Sequence, residues 1–164
     1  WSALYLFEDK GIVIQEAVMG VMLFNGTMCI GRLLGNTIGK HVTSKQVVVG
    51  GYLLGAIAMA LIVFLPGYAS MYTYLLLGIS LAMVVPNLFS AMGEQNVIPM
   101  TQAVATSTML GYMGILMGPA LIGFIAHGTS LTIAFIVLTA LLVISAGIGK
   151  YAYHLMSKDC GLEE

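Results

Sequence analysis

The sequence has little charge. Only 8% of its 164 residues are Asp, Glu, Lys or Arg, whereas a soluble domain carries about 25%. So few ionic side chains cannot clothe a surface that faces water, which excludes a water-soluble globular fold and makes lipid the expected solvent. The formal net charge of −1 gives no electrostatic basis for binding nucleic acid or a strongly acidic partner. Cysteine is scarce as well. Cys29 falls inside an apolar run and Cys160 in the tail, a poor disulfide pair, so they read as a small core residue and a free tail thiol.

Catalytic signatures are also missing. His41, His127 and His154 are scattered, and no zinc-protease helix motif, G-x-S-x-G elbow or phosphate-binding P-loop occurs. An enzyme is therefore not expected, nor any cofactor or metal. No filter-like run and no ladder of charges points to an ion channel, and no lipid-anchor motif occurs. There is no charged leader region either; W-S-A-L-Y-L is apolar from the first residue and lacks a methionine. Residues 1–6 are accordingly expected to be the last turns of a helix that begins upstream. Residues 1–164 are then expected to be a transmembrane helical fragment of a longer protein.

What is present is apolar. Hydrophobic residues make up 59% of the chain, and the mean hydropathy is +0.98. Five runs have the ~20 residues needed to cross the hydrocarbon: residues 16–34, 47–65, 71–92, 103–126 and 131–153. The predicted fold class is thus all-α, a polytopic bundle of five complete spans plus the end of a sixth.

The stretch that orients these spans is residues 31–45, G-R-L-L-G-N-T-I-G-K-H-V-T-S-K, which contains Arg32, Lys40 and Lys45, half of the basic residues. Lys and Arg beside span ends are retained in the cytoplasm. Five alternating spans then put Lys150, Lys158 and the C-terminus on the same side, leaving Lys10 as the one basic residue outside.

Polar residues within the spans are unevenly spread. Asn25, Cys29, Arg32 and Asn36 recur at helical spacing on the first span; Ser80, Asn87 and Glu94 stand seven apart on the third; Thr106, Ser107, Thr108 and Tyr112 cluster on the fourth. The second and fifth spans are nearly devoid of them. Polar groups in lipid are costly and commonly face a cavity, so the first, third and fourth spans are expected to line an aqueous path with the other two packed outside. The bland alternative is that Asn25 and Asn87 only join helices by hydrogen bonds. Glycines repeating every four residues (Gly31, Gly35, Gly39; Gly51, Gly55; Gly114, Gly118) are read as packing positions. Pro86 and Pro119 are expected to kink their helices.

Four stretches, W-S-A-L-Y-L at 1–6, G-R-L-L-G at 31–35, V-P-N-L-F-S-A at 85–91 and G-P-A-L-I-G-F-I-A at 118–126, resemble the C-terminal half of a major facilitator superfamily transporter, helices seven to twelve, nearest to bacterial fucose-permease-like members. The resemblance implies two pseudo-symmetric halves in the bacterial inner membrane, both termini cytoplasmic, and alternating access around a solute held at mid-membrane. It also implies a cytoplasmic gate formed by Arg32, Asn36, Gly39 and Lys40, with Asn36 standing where the family usually has an acid and Thr37 where it usually has a base.

The function expected is secondary active transport of a small polar solute, with a proton as the candidate coupling ion. Asn25, Asn87 and Tyr112 are the candidate solute contacts, since amides offer both donors and acceptors, and Glu94 and Glu16 are the candidate coupling acids. Expected partners are the lipid bilayer, the solute and the N-terminal half of the same chain. The alternative is a non-transporting membrane scaffold or assembly subunit.

Overall fold

A computed structural model describes residues 1–38, 42–94 and 98–159, and no strand occurs among them. In hydrocarbon no water can satisfy a free N–H or C=O, so a spanning segment bonds within itself as a helix. Among the described residues seven helices form: α1 (Ser2–Glu8), α2 (Ile14–Ile38), α3 (Ser44–Phe64), α4 (Gly67–Ala82), α5 (Val84–Glu94), α6 (Met100–Gly128) and α7 (Leu131–Asp159). They yield five segments long and apolar enough to cross a membrane, with α4 and α5 together making the third, Gly67–Gly93.

Local chemistry ends these helices where the apolar runs end. Gly11 turns the chain between α1 and α2 with φ of +68°, a conformation that costs glycine little. The Thr43 N–H donates to Gln46 Oε1 (3.3 Å) at the start of α3, and Ser130 Oγ accepts from the Ile133 N–H (3.2 Å) at the start of α7; both satisfy donors that a first helical turn leaves free. The break between α4 and α5 follows from Pro86. It has no N–H for the Ala82 carbonyl, and its ring would collide with that carbonyl. α6, by contrast, runs unbroken through Pro119.

α3 is the hub, touching α4, α5 and α7; α2 lies on α4, and α6 touches α7 and α5. α3 buries Val48, Gly51, Gly55, Ala58 and Ile62 on one face and leaves Leu53, Leu54 and Ile57 bare on the other. Contact is close because small residues meet. A Cβ on Gly78 of α4 would run into Thr27 Oγ1 and the Phe24 carbonyl of α2, and one on Gly51 would lie 2.7 Å from the Ser80 carbonyl. Gly31, Gly35 and Gly55 likewise have neighbours where a Cβ would stand, whereas Gly114 and Gly118 have nothing within 4 Å. The expected packing role therefore holds on α2 and α3 and fails within this chain on α6. Ser80 also departs from expectation. It lies on α4, across the Pro86 break from Asn87 on α5, and it is buried with its hydroxyl bonded to the Leu77 carbonyl at 2.9 Å.

The main core gathers at the α1 end of the bundle, around Tyr5, Leu6, Ile62, Met71, Tyr74, Leu77 and Phe135. Tyr5 and Phe135 stack with centroids 4.3 Å apart. Lys10 closes this end. Its ammonium donates to the carbonyls of Val63 (2.6 Å) and Leu65 (2.9 Å) and lies 5.4 Å from the Tyr5 ring centroid. The last carbonyls of α3, which have no partner inside the helix, thus gain a cation that also suits the negative end of the helix dipole.

Two substitutions test this packing. Gly78→Ala should destabilise the folded protein by about 1–3 kcal/mol, because the clash is with backbone that cannot swing aside, while Gly147→Ala, into open space, should change stability by less than about 1 kcal/mol. Lys10→Met should cost about 1.5–3 kcal/mol, the worth of hydrogen bonds to a charged group. Thermal or denaturant unfolding in detergent micelles measures both.

Candidate functional site

Ser and Thr hydroxyls in spans usually return a hydrogen bond to a carbonyl of their own helix. Thr27 does so to Leu23, Thr139 to Phe135 and Ser145 to Leu141, each at 2.8–2.9 Å. On α6 the pattern stops. The hydroxyls of Thr106, Ser107, Thr108 and Tyr112 have no partner among the described residues.

Three of them border the cleft between α5 and α6. This space of about 520 Å³ is lined by Val85, Leu88 and Phe89 on one side and by Ser107, Thr108 and Tyr112 on the other. Gly111, also lining the cleft, keeps the α6 wall low. The cleft is mainly apolar, with Met92 of α5 and Ile115 of α6 also lining it; with Ser107, Thr108 and Tyr112 on its α6 side it suits a small solute with an apolar body and a polar edge. Further along α6, Trp1 links α1 to α6, its indole N–H donating to the Pro119 carbonyl at 3.1 Å.

Of the expected solute contacts, Tyr112 lines this cleft, and Asn25 and Asn87 do not. Asn25 is exposed on α2 and its Nδ2 donates to the Val21 carbonyl at 2.9 Å. Asn87 is half-buried on α5 and its Nδ2 donates to the Met83 carbonyl at 2.8 Å, beside the backbone bond from its own N–H. Each amide spends a donor on its own helix and keeps Oδ1 as an acceptor. Asn87 also serves the fold, since the Met83 carbonyl sits at the Pro86 break.

Arg32 is exposed on α2, on the side of Cys29 and Asn25. Glu16, in the first turn of α2, accepts from the Tyr68 hydroxyl at 2.5 Å, a pairing of span ends that no spacing in the sequence signals. Gly39 and Lys40 lie outside the described residues, as do the side chains of Asn36 and Glu94. The hydroxyl-lined α6 wall was visible as a run of Thr and Ser; its apolar partner on α5 was not, because Val, Leu and Phe in a span look like lipid contacts.

Comparison with known proteins adds to this geometry. The chain is 40% identical over 136 residues, 82% of its length, to an uncharacterised MFS-type transporter of Yersinia pestis. It is 29% identical over 147 residues to the membrane protein MosC of Rhizobium meliloti and 27% identical over 140 residues to an uncharacterised transporter of Sinorhizobium fredii. The chain is similar to membrane transporters. It spans about a third of the length of these curated relatives: 35%, 36% and 37%. No family model and no solved structure matches it.

Cys29 provides a probe of the α2 face, one turn from Asn25. A thiol reacts as the thiolate, which needs water. In sealed vesicles bearing the Cys160→Ser variant, a water-soluble maleimide should label Cys29, whereas a cysteine at Ile57 on the bare side of α3 (with Cys29→Ser) should stay unlabelled. Equal inertness of both would mean that the α2 face meets lipid.

Proposed function

We propose that this chain is the C-terminal part of a major facilitator superfamily transporter, nearest its fucose-permease-like members, and that with an N-terminal half it moves a small polar solute by alternating access. The observation that carries the reading is the set of unspent hydroxyls on α6 facing the α5 wall. In lipid such groups are costly without partners, and a solute or water path supplies them. The names of the relatives, which are transporters or a membrane protein, fit this reading better than an enzyme.

In this proposal Tyr112, Asn87 and Asn25 contact the solute, Tyr112 through a free hydroxyl and the amides through their Oδ1 acceptors, so donor-bearing edges such as hydroxyl or amine groups are favoured. Arg32, Asn36, Gly39 and Lys40 form the gate at the end where α2 passes into α3, on the cytoplasmic side of the inner membrane. Glu94 and Glu16 are the acids available for proton coupling; Glu16 would have to release Tyr68 to take part. The Pro86 break gives α5 a joint at which one half-span can tilt against the other.

The test is uptake by liposomes holding the complete native polypeptide, screened against small polar solutes with and without a proton gradient. Tyr112→Phe should lower uptake about tenfold at unchanged membrane levels, the loss expected for one hydrogen bond to the solute, and Asn87→Ala, which also removes the bond to the Met83 carbonyl, should lower uptake per inserted molecule at least as much. Wild-type liposomes that accumulate none of the solutes would favour the scaffold reading instead.

A further inference from the structure

The opposite end of the bundle from Lys10 holds a second cleft, which shares no residue with the α5–α6 space. It has a volume of about 530 Å³ and lies between the start of α3 and the later turns of α7, lined by Thr43, Lys45, Gln46, Val49, Leu53 and Lys150. We propose that it binds an anionic phospholipid, the phosphate between Lys45 and Lys150 and an acyl chain along Val49 and Leu53.

Depth is the first reason. Lys150 lies nineteen residues beyond the start of the span Leu131–Met156, about 28 Å along the axis and so near the edge of a ~30 Å hydrocarbon layer, in one cleft with Thr43 and Lys45 at the first turn of α3. A cation there extends its stem toward the headgroups and needs a counter-charge. Among the described residues none pairs with either ammonium, and none of the cleft's lining residues is Asp or Glu. Lys10 makes the contrast, its ammonium fully engaged by two carbonyls.

Order along the helix is the second reason. Thr43, Lys45 and Gln46 form the mouth at the first turn of α3, and Val49 and Leu53 follow one and two turns deeper into the span Ser44–Phe64. Polar groups at headgroup depth with an apolar trough beneath match a phospholipid, and the N-terminus of α3 adds its own positive end toward the phosphate. A soluble phosphate would use the lysines and leave the trough unfilled. Basic clefts between spans at a membrane surface are suited to acidic lipid headgroups.

The experiment uses the complete native polypeptide in detergent micelles, with labelled phosphatidylglycerol and phosphatidylcholine of identical chains as probes. Wild type should retain phosphatidylglycerol about tenfold better. The double variant Lys45→Gln/Lys150→Gln should bring the ratio below about twofold, Lys45→Arg/Lys150→Arg should keep it, and Arg32→Gln should leave it unchanged. Leu53→Trp, which fills the trough with both charges intact, should also release the lipid. Four results would overturn the proposal: no headgroup preference in wild type, an unchanged ratio in the glutamine pair or in Leu53→Trp, an equal loss in Arg32→Gln (surface charge alone), or full displacement by millimolar glycerol phosphate, which would mark a site for soluble anions.

Discussion

Close approach of α4 to its neighbours on both sides is the contact on which the bundle depends. Lipid is as apolar as leucine, so burying a leucine between two spans wins little; association comes from fit and from short backbone distances. Gly78 lets α4 settle against the backbone of α2 at Phe24 and Met28, and Gly51 lets α3 settle against the carbonyl of Ser80. With α4 held between α2 and α3, the Pro86 break determines where α5 departs, and that departure opens the cleft toward α6.

Polar side chains divide into those the fold consumes and those it leaves available. Thr27, Ser80, Thr139 and Ser145 return their hydroxyls to their own helices, which makes them acceptable to lipid and chemically silent. Ser107, Thr108 and Tyr112 do not, and they converge on one space. Asn25 and Asn87 fall between these classes, each with a donor committed and an acceptor free. A transporter needs such weak, partly satisfied groups, because a solute held by fully preorganised charges would not leave.

The lysines divide in the same way. Lys10 is structural, a cation closing the carbonyl end of α3 beside Tyr5. Lys45 and Lys150 line one cleft from two helices at the other end, with no anionic partner among the described residues. The difference arises from what surrounds each ammonium, since all three occur near span ends.

The membrane class, the five spans, their boundaries to within a few residues and the break near Pro86 were legible in the sequence. Those features depend on hydropathy over about twenty neighbouring residues and on the missing proline N–H, both local properties. The spacing of Gly31, Gly35, Gly51 and Gly55 also told correctly where helices would touch. Only the tertiary structure decided that Gly114 and Gly118 face open space, that Ser80 is buried away from Asn87, that Glu16 meets Tyr68, and that Val85 and Phe89 form a wall opposite Tyr112. Each of these depends on how one helix is rotated against another, and an apolar residue reads the same in sequence whether it meets lipid, a neighbouring span or a cleft.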